Sequence, residues 1–443
     1  MNKKNFWKDT IIVGLALFST MFGAGNLIFP PQIGLFSGDQ WVLGVLGLLL
    51  GGIILPVLAL WAVNNVGDKA QDLMGHVSPW FYNAYYLIAC SFIAMGSTLP
   101  KSAATTHEMA IQPLFPNVPI WITVIVFFVL VYFFACDPNS VIDKLGKYMT
   151  PILVILLAIV LIKGVISPVG TPVDTGIDNA FGDAILTAYN TGDLTVGIMF
   201  ASVILLDLRR RGYTGAESKK GGYMAGVVSI VVLFAVYGTL TYIGACASGV
   251  YSQDTPQTVL LSGIIQSIMG PVGMACLGGA VALACLTTAV GIGTTCVGFF
   301  YDFFKRKIPY KVLVLIACII GIFMGITGVQ NIVNYVTPIF LVVYPALIVN
   351  TVLGLLNKYL PNDGFYKGGV LMAVVVSLGD AVLSVNPNIG WLRNFMDLFP
   401  FSGLGFAWVV PTIIGMVVGA IICRGKPKYQ PLPDPAEVSA QEK

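Results

Sequence analysis

The first long apolar run of this chain, residues 10–36, is interrupted from within by Phe22-Gly23-Ala24-Gly25-Asn26-Leu27-Ile28-Phe29-Pro30-Pro31. A helix that crosses a bilayer needs roughly 20 apolar residues. Two glycines, an asparagine and a double proline have no use in its middle. Peptide groups without helical partners survive at membrane depth only where protein buries them or where they line a cavity. The run therefore predicts a broken helix whose second half begins near Leu27. The free N–H groups and positive end of that half-helix would face an anion. Carbonyls released from the first half would face a cation. A proline kink that binds nothing is the competing reading.

The surroundings of that break are those of a membrane protein. Hydrophobic residues make up 56% of the 443 and charged residues 10%, against roughly 25% charged in soluble domains. The chain reads as an all-α polytopic protein whose bulk partner is the lipid bilayer. Asn2 to Asp9 is a short polar stretch, and the apolar run behind it is too long for a signal-peptide core, so no leader is expected. The eight cysteines form no CxxC pair and read as small buried residues. No His/Cys/carboxylate cluster has metal spacing, so neither a transition metal nor an organic cofactor is expected.

Apolar runs suggest twelve transmembrane helices, near 10–36, 40–64, 79–112, 117–136, 144–168, 180–208, 221–249, 270–302, 310–329, 331–357, 367–385 and 397–422. One membrane transport domain then fills residues 1–443, with a polar, Pro-rich tail at 423–443 expected to be disordered. With the N-terminus inside, all of the 24 Lys and Arg except Lys101, Lys163 and Arg393 fall on the cytoplasmic side. Both termini are then cytoplasmic. The basic clusters at 209–211 and 305–307 read as topology anchors only, and no nucleic-acid partner is expected.

A second interruption falls in the sixth run, at Tyr189-Asn190-Thr191-Gly192-Asp193. Such a cluster is unfavourable in lipid unless it faces a cavity. Asn190, Thr191 and Asp193 are helix-capping types, so a restarting helix is one reading. Asp193 holding a cation or a substrate ammonium is another, compatible with the first. The two interruptions lie five spans apart. Discontinuous helices at corresponding places of two halves point to a transporter site, and an odd offset makes the halves, 10–168 and 180–357, inverted repeats. Spans eleven and twelve, 367–422, lie outside them. In the eighth run, Thr287 and Thr288 follow Ala284. Adjacent threonines usually bond back one turn, yet here their oxygens, with carbonyls of the first break, would suit a small hard cation. In the third run Lys101 is a functional candidate, with Glu108 or a backbone carbonyl as partner. Snorkelling to the outer interface is the equal alternative.

Together, Phe22–Pro31, Tyr189–Asp193 and Ala284–Ala289 resemble the bacterial branched-chain amino acid:cation symporters, the LIVCS family. The resemblance spans about residues 5 to 425. It implies uptake of leucine, isoleucine and valine coupled to Na⁺ or H⁺ across the bacterial cell membrane. It also implies a LeuT-like fold: a 5+5 inverted repeat with broken helices 1 and 6, plus two extra C-terminal helices. Gly23, Ala24, Gly25 and Asn26 would then meet the substrate, with Tyr189, Asn190, Thr191, Gly192 and Asp193 opposite. The carbonyls of Ser19, Phe22 and Ala284 and the hydroxyls of Thr287 and Thr288 would hold Na⁺. Two positions depart from the family pattern: Lys101 replaces a common Arg, and Gly192 a common Met, which would enlarge the pocket or loosen the break.

The expected mechanism is alternating access, with the aliphatic side chain in an apolar pocket between spans one, three, six and eight. A same-fold carrier for another amino acid or a nucleobase is the nearest alternative. A channel lacks support from any filter repeat. The two histidines, His76 and His107, give an enzyme little support.

Overall fold

The stretch Ile120–Ala135 carries no charged residue and is apolar on every side. In hydrocarbon such a segment satisfies its backbone only by bonding to itself, which makes it a helix. The computed structural model describes residues 5–67, 69–136 and 150–431, and every regular element among them is helical. Six of its helices are long and apolar enough to cross a membrane, or seven if one bent pair is a single span. Four shorter apolar helices accompany them. Residues 144–149 of the expected fifth span and 432–443 of the expected tail lie outside the described residues.

In chain order the elements are α1 (Phe6–Met21), α2 (Ala24–Ser37), α3 (41–66), α4 (Phe81–Ile111), α5 (Ile120–Ala135) and α6 (Thr150–Ile166). Then follow α7 (Ala180–Tyr189), α8 (Asp193–Arg210), α9 (Gly215–Ala245), α10 (Gln257–Phe303), α11 (Tyr310–Gly325) and α12 (Val329–Leu355). The last are α13 (Gly364–Val385) and α14 (Val409–Ile422).

Both expected breaks are present. At the first, α1 ends where the Phe22 N–H reaches the Phe18 carbonyl at 2.8 Å, and Gly23 is extended. The second half begins at Ala24, three residues before the expected Leu27. Pro30 and Pro31 lie inside α2 and do not break it. Their fixed φ suits a helix, and what they withhold is two N–H donors, to the carbonyls of Asn26 and Leu27. At the second break α7 and α8 meet at 52°. Gly192 makes that turn at φ 82°, in the left-handed region that favours glycine. Glycine at this position thus suits the backbone angle that the break adopts.

Two differences lie outside the breaks. Residues 257–269, read from sequence as a connection, form the first part of α10, which kinks at Gly270 and Pro271 before the expected eighth span. The start of the tail is packed, not disordered. Tyr429 sets its ring against Gly75 and its N–H 2.5 Å from Asp363, and Asp363 also lies 2.6 Å from His76 Nδ1. Burial works to raise the Asp363 pKa, but the bonds from His76 and the Tyr429 N–H, with the charge of Lys367, hold it below the ordinary carboxylate range.

Small residues let backbones touch, as is usual between helices in lipid. Gly34 of α2 lies against the Thr241 carbonyl of α9, and Gly244 of α9 lies against the Pro31 carbonyl. This contact fixes α2 laterally and so places its N-terminus. A Gly34→Ala change sets a methyl onto that carbonyl. It should lower stability by roughly 1–3 kcal/mol or more, read as a fall in detergent melting temperature; an unchanged melting temperature would contradict this packing. Asp363, with its folded pKa depressed, stabilises above its unfolded value of about 3.9 and loses that contribution as pH falls through the folded value. Asp363→Asn should therefore melt below wild type at pH 7, with the gap narrowing toward pH 3. A gap independent of pH would contradict the assignment.

Candidate functional site

The site is built where the two breaks face each other. Asn26, in the first turn of α2, places its side-chain Nδ2 3.1 Å from each carboxylate oxygen of Asp193. The same amide donates to the Met21 carbonyl at the end of α1. Gly25 approaches so closely that a β-carbon there would lie 3.3 Å from the Thr191 Cα. Residues 23–26 and 190–193 are therefore neighbours across the break.

The restart of the sixth span is capped in an unforeseen way. Asp193 is the first residue of α8 and is buried, while Gly192 occupies the capping position. The cap is the Thr191 hydroxyl, which accepts from the Asp193 N–H at 3.3 Å and donates to the Ala188 carbonyl at 2.8 Å. The carboxylate of Asp193 is thus free of capping and turns to Asn26. The next N–H, of Leu194, donates to the Tyr344 hydroxyl at 3.1 Å. Tyr344 belongs to α12 and packs its ring 4.7 Å from that of Tyr189. From the same helix Thr337 donates to the Asn190 side-chain oxygen at 2.9 Å. Sequence reasoning missed both α12 residues, since Tyr344 and Thr337 sit in a run that reads as an ordinary span.

Lys101 does not snorkel. It is 2% exposed, and its Nζ donates to the Asn190 carbonyl at 3.0 Å, with the Phe29 ring centroid 5.3 Å away. It rises from the α-helical turns Leu99–Thr106 between two π-type stretches of α4, a geometry frequent at functional sites. Glu108 is not its partner. That carboxylate accepts from the Thr258 hydroxyl at 2.6 Å and from the Val329 N–H at 2.9 Å, tying α4 to the starts of α10 and α12.

The hydroxyl pair of α10 divides. Thr287 bonds back to the Ala284 carbonyl at 2.9 Å. Thr288 crosses to the first break and meets the Phe22 carbonyl at 3.3 Å. An ion of about calcium's size takes oxygens at roughly 2.3–2.6 Å, which sets neighbouring ligands about 3.3–3.7 Å apart in an octahedral shell. Na⁺ is close to that size, and the 3.3 Å hydrogen-bonded separation of the Phe22 and Thr288 oxygens falls within that spacing. Ser19 lies buried one turn before Phe22, on α1. Among the described residues no group of His, Cys, Asp and Glu could hold a metal.

These elements enclose a cavity of about 10 Å³, on a scale where one water needs roughly 10–15 Å³. It lies between spans one, three, six and eight, as expected, but its lining is mostly polar. Thr20, Asn26, Thr98, Lys101, Asp193 and Thr288 outnumber Met21, Val196 and Ile292.

Two broken helices meeting inside an all-helical, multi-pass protein are the architecture of a membrane transporter. The chain belongs to the family of branched-chain amino acid transport proteins, whose model matches residues 6–426. It is 28% identical to the branched-chain amino acid permease BraB of Bacillus subtilis, over 94% of this chain and 95% of that one. Its fold is similar to that of a mutant of the manganese transporter of Eremococcus coleocola, at TM-score 0.62 and 14% identity over 95% and 97% of the two chains. It is likewise similar to Mhp1 in its inward-facing conformation, at TM-score 0.61 and 13% identity over 98% and 94%. At such identity the likeness is one of fold, and it is the LeuT type.

The Asn26–Asp193 contact generates a prediction that needs no transport assay. A hydrogen bond to a charged group contributes roughly 1.5–3 kcal/mol. In a double-mutant cycle of Asn26→Ala and Asp193→Ala, unfolding free energies should show coupling of that size. Additive losses would mean that the two breaks do not support each other.

Proposed function

We propose that this protein imports leucine, isoleucine and valine by symport with Na⁺, through alternating access at the paired breaks. The reading rests on the hydrogen-bonded meeting of Asn26 with Asp193 in a member of this family. Twelve spans carry it in our reading. The inverted repeats are 10–168 and 180–357, with 367–422 outside them, in the bacterial cell membrane and with both termini cytoplasmic.

The first peptide N–H groups of a helix have no intrahelical partner. In α2 the first bond of the turn runs from the Asn26 N–H to the Gly23 carbonyl at 3.1 Å. The N–H groups of Gly23, Ala24 and Gly25 precede it and take the substrate carboxylate, aided by the helix dipole. The substrate ammonium lies toward Asp193, with Tyr189, Asn190, Thr191 and Gly192 forming that wall. Na⁺ lies among the carbonyls of Ser19, Phe22 and Ala284 and the hydroxyls of Thr287 and Thr288. The neutral oxygen set around Thr288 favours Na⁺ over H⁺. A cavity of about 10 Å³ cannot hold a leucine. Entry therefore requires the walls to part. One methylene changes binding by only about 1–3 kcal/mol in an apolar pocket, so the three substrates are poorly distinguished.

Leucine uptake into liposomes with Na⁺ and pH gradients imposed separately tests this reading. Uptake should saturate, follow the Na⁺ gradient and be inhibited by isoleucine and valine. Competition by aromatic amino acids or nucleobases alone would move the substrate class, and non-saturating flux would indicate a channel. Thr288→Ala should raise the half-saturating Na⁺ concentration about tenfold, the equivalent of about 1.4 kcal/mol. An unchanged Na⁺ curve would remove Thr288 from the ion site.

A further inference from the structure

Lys101 is the only buried Lys or Arg among the described residues. An ammonium taken out of water loses several kcal/mol of hydration, so its surroundings must supply a reason for its presence. Among the described residues it has no carboxylate within ion-pair distance. What it has is the Asn190 carbonyl at 3.0 Å, at the C-terminal end of α7, the face of Phe29 and, beyond ion-pair distance, the carboxyl group of Asp193 across the same cavity. The end of a helix that releases carbonyls is a place for a cation. A mobile cation or a substrate ammonium would seek the same oxygen, and the protein has already filled it with its own.

The other side of the ammonium faces α2. A β-carbon on Gly25 would lie 3.3 Å from Lys101 Nζ, so the ammonium stands beside the first peptide groups of that helix. Lys101, Gly23, Gly25, Asn26, Asp193 and Thr288 all line the one small cavity. The wall thus carries an amine at the N-terminal end of α2 and a carboxyl group at Asp193. That pattern is complementary to a zwitterion.

We infer that Lys101 is a resident counter-cation of the site: it bridges the Asn190 carbonyl and the carboxylate of the bound amino acid. This rests on the amino acid symport proposed above. It assigns the substrate's two charges to two side chains, with the carboxylate at Lys101 and the ammonium at Asp193. It also fixes the coupling. With one cation place filled by the protein, a single Na⁺ at the Phe22–Thr288 place accompanies each amino acid.

Two measurements on the purified full chain test it. The first is the Na⁺ dependence of leucine uptake in liposomes together with the charge moved per leucine. A Hill coefficient near one and one charge per leucine are expected. A coefficient near two with two charges would overturn the resident-cation assignment. The second compares binding of leucine and leucinamide, which lacks the carboxylate charge, by thermal shift and radioligand competition. Wild type should prefer leucine, and Lys101→Gln should reduce that preference at least tenfold, while Lys101→Arg keeps most of it. A preference unchanged in Lys101→Gln would leave Lys101 a purely structural residue and overturn the inference. If Lys101→Gln does not fold, Lys101→Arg and Lys101→Met carry the comparison, with the same expectation for Met as for Gln. Leucine bound with Na⁺ but without these effects defeats this inference alone. Wild type that binds no branched-chain amino acid defeats the transport reading as well.

Discussion

Peptide groups released from a helix in a dry interior must find partners from elsewhere, and the packing here is organised to provide them. An unsatisfied backbone group at membrane depth is destabilising by several kcal/mol. At the two breaks some partners come from the same span, and three come from other spans. Thr288 of α10 meets the Phe22 carbonyl, Lys101 of α4 meets the Asn190 carbonyl, and Tyr344 of α12 meets the Leu194 N–H. Asn26 then joins the breaks to each other through Asp193. Spans one, three, six, eight and ten are thereby held around one small polar volume. The glycine contacts of α2 with α9 support it from behind.

The same logic of ties operates at the two ends of the bundle. Glu108 gathers the end of α4 with the starts of α10 and α12. At the opposite end Asp9 of α1 holds Arg211 and the Tyr213 hydroxyl, just beyond α8, at 3.2 and 2.8 Å. Nearby, Tyr429 and Lys428 of the tail bind the loop between α12 and α13. A carrier that alternates must release one set of ties at a time. In the proposed cycle the small central cavity is what remains when both sets are made.

The breaks were legible in the sequence because glycine and polar residues in the middle of an apolar run have few structural meanings. The first was read three residues late, because Pro30 and Pro31 look like breakers although their backbone angles suit a helix. The reason for Gly192 needed coordinates, since only the positive φ explains it. Lys101 could be flagged by type, with a backbone carbonyl as one of its two expected partners, but which carbonyl needed coordinates, since Asn190 lies 89 residues away. Tyr344 and Thr337 carried no local signal at all, because their roles exist only once α12 lies against the sixth-span break. The helical start of α10 was missed because it lies outside the apolar run from which the eighth span was read. The ordered beginning of the tail was missed because composition speaks of solubility, not of a single tyrosine finding a glycine.

The central claim is that the two breaks form one binding site for a zwitterion and its ion. A high-resolution structure with leucine and Na⁺ tests it most directly. The account predicts the amino acid between residues 23–26 and 190–193, its carboxylate toward Gly25 and its ammonium toward Asp193. Ligand density elsewhere, or first and sixth spans that run through as continuous helices, would contradict it.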